Sequence, residues 1–155
     1  MPSRPVASLP SQEIDSVPDT VPHSKLTHDG ALKLIQAGIA KAKQMGVPQC
    51  IAVVDDGGHM LAFVRMDGAK FLSTTSALNK ARTAASTRQP TGGAHAEIEV
   101  KLAIATDGGF TNLKGGLPVI VDGHCVGAIG VGSGTGDQDA EVGRAALSAI
   151  DAEAV

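Results

Sequence analysis

Aromatic side chains are scarce in this sequence: its 155 residues include three phenylalanines and no tryptophan or tyrosine. Proteins that bind single-stranded nucleic acids stack the bases on aromatic rings, and proteins that bind duplexes carry an excess of Lys and Arg. This chain instead has a formal net charge of −3. A nucleic acid is therefore not an expected partner.

Cysteines and long apolar runs are also few. Cys50 and Cys125 are far apart, and neither belongs to a Cys-x-x-Cys motif, so we expect reduced, buried thiols of a cytoplasmic protein. No run of about 18 apolar residues occurs, so no membrane-spanning helix is expected. No apolar stretch follows Arg4 near the N-terminus, and a secretory signal is not expected either.

Proline is concentrated at the start of the chain, where residues 1–24 hold five of the eight prolines among Ser and Asp. Such a segment buries too little apolar surface to offset the entropy lost on ordering. We predict a flexible tail over residues 1–24. The length of the remainder, residues 25–155, predicts one folded domain.

Two predicted hairpins organise this domain. Asp122-Gly123 joins two β-branched runs within residues 116–132, and Asp-Gly between such runs is the strongest short-range hairpin signal. A turn at Asp56-Gly57 likewise joins two strands within residues 50–65. Because both hairpins are antiparallel and lie between helical segments, we predict an α+β fold with helices packed on an antiparallel sheet.

Helical spacing of apolar residues predicts four helices. Thr27 is placed to cap the first, which ends before Gly46. The others are predicted over residues 71–87, over residues 94–105 and from Asp137 onward. The third helix is expected to turn Ile98 and Leu102 toward the core.

The predicted second helix has a polar face of hydroxyl groups and a single lysine, formed by Ser76, Lys80, Thr83 and Thr87. Such a face is either solvated or lines a site, and both interpretations stay open. The glycine pair Gly115-Gly116 has little side chain to cover its backbone, so its amides are predicted to be bare.

Six ordered sequence blocks resemble the GlcG/HbpS-like family, which includes the C-terminal domain associated with PduO cobalamin adenosyltransferases. The match extends from about Leu26 to Ile150. The blocks are Ile51–His59, Arg65–Ala69, Lys80–Ala84, Gly115–Pro118, Val126–Val131 and Gly134–Asp139.

The resemblance implies a profilin-like fold with a five-stranded antiparallel sheet, assembled into dimers or larger homo-oligomers. It also implies binding of heme or a related tetrapyrrole, with heme degradation in one branch. The family's axial ligands, a histidine of the first helix or a threonine, correspond to His28 and Thr83. The implied pocket lies near a subunit interface, beside Gly115 and Gly116, with Lys80 and Arg82 available to pair with heme propionates.

Two other functions stay open at this stage. A catabolic isomerase, hydratase or decarboxylase would use Lys80 or Arg82 to hold a carboxylated substrate, and the Gly115 and Gly116 amides to stabilise an oxyanion. Its general base would be Asp55, Asp137 or His28. An interaction module would have no such chemistry. A broad apolar slot beside His28 or Thr83 would favour heme, whereas a small pocket in which Lys80 or Arg82 meets a carboxylate would favour the enzyme.

Overall fold

The computed structural model describes residues 18–155. Four helices and four strands follow in the order α1 His28–Met45, β1 Cys50–Asp55, β2 Met60–Arg65, α2 Ser73–Thr87, α3 Ala96–Ala105, β3 Gly116–Val121, β4 His124–Gly132 and α4 Gly136–Leu147. This order confirms the α+β class. Residues 1–17 of the predicted tail lie outside the described residues, and residues 18–24 form neither helix nor strand.

The strands form one sheet in the order β2-β1-β4-β3, and every neighbouring pair is antiparallel. Both predicted hairpins are confirmed. Asp122 and Gly123 have φ of 49° and 75°, the pair of positive values that a tight hairpin turn requires. Within residues 18–155 the sheet has four strands, one fewer than the resemblance implies. None of the helices in this part of the chain is long and apolar enough to cross a membrane.

The two faces of the sheet are packed differently. On one face, α1 and α4 cover a core of branched side chains that includes Leu34, Ile51, Ile129 and Val142. On the other, α2 packs through what we call the alanine–glycine seam, formed by Ala52, Ala77, Ala81, Ala84, Ala85, Ala128, Gly116 and Gly130.

In this seam, the backbone of α2 lies almost against the backbone of the sheet. A Cβ atom at Gly130 would overlap the carbonyl oxygen of Ala77, and one at Gly116 would overlap the carbonyl oxygen of Lys80. Glycine is therefore required at both positions by the close approach of two backbones.

The third helix departs from the sequence-based expectation. None of the residues of α3 is buried, and the side chains expected to face the core, Ile98 and Leu102, are 44% and 36% exposed. Ile98, Val100, Leu102 and Ile104 alternate along the sequence, so on a helix they spread over several sides. Since α2 already covers the nearer face of the sheet, this apolar helix stays on the outside.

Candidate functional site

A cavity of about 330 Å³ lies at the end of α2, beside the loops that flank α3. Its walls come from Thr83 and Thr87, from residues 89–94 and from residues 110–112. We call it the threonine cavity. A second cavity of about 290 Å³ shares Phe110, Thr111 and Asn112 with it and extends under α3. We refer to the two neighbouring cavities as the slot, and the threonine cavity alone is of the size in which small ligands bind.

Hydrogen bonds fix the walls of this slot. The hydroxyl of Thr83, a residue only 5% exposed, accepts a hydrogen bond from the Thr111 amide at 3.0 Å. The side chain of Asn112 accepts from the Ala94 amide at 2.9 Å and donates to Glu99 at 2.6 Å. The slot is therefore held in shape by the chain itself.

Lys80 is buried rather than exposed to a ligand. Its ammonium donates to Asp139 Oδ2 and to the Val131 carbonyl oxygen, both at 2.8 Å, and the two side chains are 5% and 3% exposed. The other oxygen of Asp139 accepts from the Gly134 amide at 2.9 Å. A buried charge requires such a partner. Lys80 does meet a carboxylate, as the enzyme hypothesis expects, but that carboxylate belongs to the protein.

The glycine pair is more engaged than the sequence suggests. The Gly116 amide donates to Thr91 Oγ1 at 2.9 Å, so it is not the bare amide that was predicted. Gly115 has φ of 119° and is buried against Asp139. Arg82 is exposed, and its Nε donates to the Gly58 carbonyl oxygen at 3.0 Å, which joins α2 to the β1–β2 turn.

The two aspartates proposed as bases have other contacts. One oxygen of Asp55 accepts hydrogen bonds from the amides of Gly57 and His59, both at 2.9 Å. Burial raises the pKa of Asp55, but these hydrogen bonds outweigh it and lower the pKa below its ordinary value. A carboxyl group with a lowered pKa is a weaker base. Asp137 is 88% exposed and pairs with Lys114 at 3.0 Å.

His28 lies at the first position of α1 and is 80% exposed. Its Nε2 is 3.3 Å from Asp29 Oδ1, and one turn further along the same helix Leu32 is 47% exposed. Because α1 and α2 cover opposite faces of the sheet, and His28 lines neither cavity of the slot, one chain does not bring His28 and Thr83 into one site.

Sequence reasoning missed Asp139, Phe110 and Asn112. Asp139 is 59 residues from Lys80, and no local pattern distinguishes it from the exposed Asp137. Phe110 and Asn112 lie in a loop without periodicity. Within residues 18–155, no group of three or more His, Cys, Asp or Glu side chains is arranged to hold a metal ion.

Comparisons with known proteins agree on one family. A family model described as haem degrading protein HbpS-like matches residues 26–148. Protein GlcG of Escherichia coli is 40% identical over 107 residues, which are 68% of this chain and 80% of GlcG. The corrinoid adenosyltransferase PduO of Salmonella typhimurium is 28% identical over 141 residues, or 84% of this chain and 42% of PduO.

Solved structures give the same result. The heme complex of PduOC has a TM-score of 0.78 and 25% identity, and the match covers 84% of this chain and 99% of PduOC. A double mutant of HbpS from Streptomyces reticuli has a TM-score of 0.75 and 31% identity, over 96% of this chain and 97% of that protein.

Proposed function

Because this chain belongs to the HbpS-like family, we propose that it binds heme or a related tetrapyrrole, with His28 as an axial ligand of the iron. The observation that carries the proposal is the match to PduOC, which was solved as a heme complex. When bound, heme supplies redox chemistry at its iron. The residues of this chain would hold and orient it.

The surroundings of His28 fit this role. Imidazole is a common axial ligand of heme, and this ring is 80% exposed. The Asp29 carboxylate at 3.3 Å is the kind of neighbour that orients a ligating histidine. Leu32, exposed one turn along α1, offers apolar surface to the macrocycle.

Thr83 is the second candidate ligand, and its position beside the threonine cavity supports it. Its hydroxyl already accepts a hydrogen bond from the Thr111 amide, so ligation of iron would compete with that bond. Among the residues expected to pair with propionates, Arg82 is exposed, whereas Lys80 is committed to Asp139.

We also propose that the chain forms a homo-oligomer and that a second copy covers α3. Contiguous exposed apolar surface normally marks an interaction site, and Val100 and Ile104 of α3 are 61% and 76% exposed. A heme on the exposed His28 would likewise gain a second wall from a partner copy.

Light scattering after gel filtration tests the oligomer proposal. The parent should be at least a dimer, and Ile104→Glu should dissociate it. Val21→Glu, at a residue with the same 76% exposure, should leave the mass unchanged, and a monomeric parent would refute the proposal.

Titration of the full chain with hemin, followed in the Soret region, tests the heme proposal. We expect a saturable shift at one heme per subunit or per two subunits. His28→Ala should abolish it, whereas Thr83→Val and His59→Ala, which alters another exposed histidine, should retain it. If the Soret shift were lost in Thr83→Val but kept in His28→Ala, the axial ligand would lie in the threonine cavity. A shift that never saturates would refute heme binding.

Degradation of the bound heme is a further proposal, supported by the description of the family model. Heme at an exposed histidine would be open to reductant and oxygen from solution. With ascorbate in air, the Soret band of the complex should then decay faster than that of a His28→Ala sample with the same hemin. If the Soret band decayed at the same rate in both samples, the protein would have no role in heme degradation.

The catabolic-enzyme hypothesis has less support. Three of its residues have structural contacts, because Lys80 pairs with Asp139, Gly116 donates to Thr91, and Asp55 holds the β1–β2 turn. A small pocket in which Lys80 faces a ligand carboxylate would require the buried ion pair to open.

A further inference from the structure

A separate cavity of about 440 Å³ lies where both hairpin turns meet the C-terminal end of α2. We call it the hairpin-end cavity. Arg88, His124 and Cys125 line it, together with Asp56 and His23. Neither His28 nor Thr83 belongs to its lining, so it is distinct from both candidate heme positions.

Arg88 has an unusual backbone at the rim of this cavity. It is the C-cap of α2, with φ of 57° and ψ of 30°, and its amide donates to the Ala84 carbonyl oxygen. At the end of a helix this left-handed conformation is most often occupied by glycine or asparagine, and it is strained for other residues. The C-cap therefore holds the Cα of Arg88 at the rim of the cavity.

The guanidinium of Arg88 makes no ion pair or hydrogen bond with any residue between 18 and 155. The acidic side chain that lines the cavity, Asp56, already has a partner. Its Oδ2 is 3.2 Å from His23 Nε2. Arg88 is therefore the one charged group lining this cavity that lacks a partner among the described residues.

Besides the Asp56–His23 pair and Arg88, the polar side chains of the lining are Ser86, His124 and Cys125. His124 Nδ1 is 2.8 Å from the Asp122 carbonyl oxygen. Since a carbonyl only accepts, Nδ1 carries a proton and is the donor of this hydrogen bond. The half-buried thiol of Cys125 donates to the Gly127 carbonyl oxygen at 3.3 Å.

We propose that the hairpin-end cavity binds a small carboxylate, which forms an ion pair with Arg88 and lies beside Cys125. The planar fork of a guanidinium matches the two oxygens of a carboxylate. This inference does not depend on heme binding.

Alkylation of Cys125 in the full chain tests the proposal, because iodoacetate carries the carboxylate that iodoacetamide lacks. Mass spectrometry separates Cys125 from Cys50, whose side chain is 0% exposed. We expect the rate of Cys125 alkylation to saturate as the iodoacetate concentration rises, and to increase linearly with the iodoacetamide concentration. Arg88→Gln should remove the saturation and slow iodoacetate about threefold, the scale of a partly exposed ion pair, with iodoacetamide unaffected.

Arg65→Gln is the matched control, since Arg65 is exposed at the opposite end of the sheet, and it should change neither rate. Arg88→Gly relaxes the left-handed backbone, so it should fold and show the same loss of saturation as Arg88→Gln. Acetate should protect Cys125 from iodoacetate, whereas chloride at equal ionic strength should not, because chloride lacks the two oxygens that the guanidinium fork matches. A linear iodoacetate rate in the parent, unchanged selectivity in both Arg88 variants, or equal protection by chloride would overturn the proposal.

Discussion

The buried ion pair between Lys80 and Asp139 permits a quantitative test of what Lys80 does. Lys80→Met removes the ammonium and keeps most of the aliphatic stem. The Asp139 carboxylate would then retain the Gly134 amide but no counter-charge, in a position where its side chain is 3% exposed. Removal of one partner from a buried pair costs about 3–5 kcal/mol, a large share of a folding free energy of about 5–15 kcal/mol.

Urea unfolding measures this cost. With a slope of about 2 kcal/mol per molar urea, the midpoint of Lys80→Met should fall by about 2 M. The double variant Lys80→Met with Asp139→Leu should recover most of the loss, because an apolar replacement of a whole buried pair is often neutral, and the Gly134 amide keeps its second acceptor on Gln49. A Lys80→Met chain with an unchanged midpoint but weakened hemin binding would refute the structural role.

Three other substitutions test the fold. Gly130→Ala would push α2 from the sheet and should cost about 3 kcal/mol in urea unfolding, whereas Gly93→Ala, where a Cβ meets nothing within 4 Å, should be neutral. Because the pKa of Asp55 is lowered in the folded chain, its contribution is complete above the unfolded value near 4 and is lost as the pH falls through the folded value. In the Asp55→Asn variant, the urea midpoint should therefore fall less than in the parent as the pH drops below about 5. Thr135→Ala removes the capping box of α4 and should lower stability by about 1 kcal/mol.

Features encoded by neighbouring residues were predictable from the sequence. Asp122-Gly123 specifies its turn within a few residues, and Thr27 caps α1 by accepting a hydrogen bond from the Gly30 amide. The environment of α3 was not predictable in this way. Apolar spacing identifies a helix, but it does not say whether the chain itself supplies a surface to cover Ile98 and Leu102.

The candidate site shows the same limit. Lys80 and Thr83 were singled out by their place on one helix face, which the sequence left either solvated or lining a site, and the structure buries both. The partner of Lys80, however, lies on α4, and only the folded sheet brings the two side chains together. His28 was expected as an axial ligand from the resemblance, but the sequence could not show that its side chain is 80% exposed.

The alanine–glycine seam limits how this protein can change by mutation. Its residues are alanine and glycine, the two smallest amino acids, so nearly every substitution adds side-chain volume. The added volume cannot be offset by a smaller residue at a neighbouring seam position, because those positions are already alanine or glycine. The branched core on the opposite face has no such restriction, because Val, Ile and Leu can exchange volume among themselves. Sequence drift is thus expected to be asymmetric across the sheet. Random mutagenesis should give many tolerated replacements in the core on the α1–α4 side and almost none at the seam positions of α2.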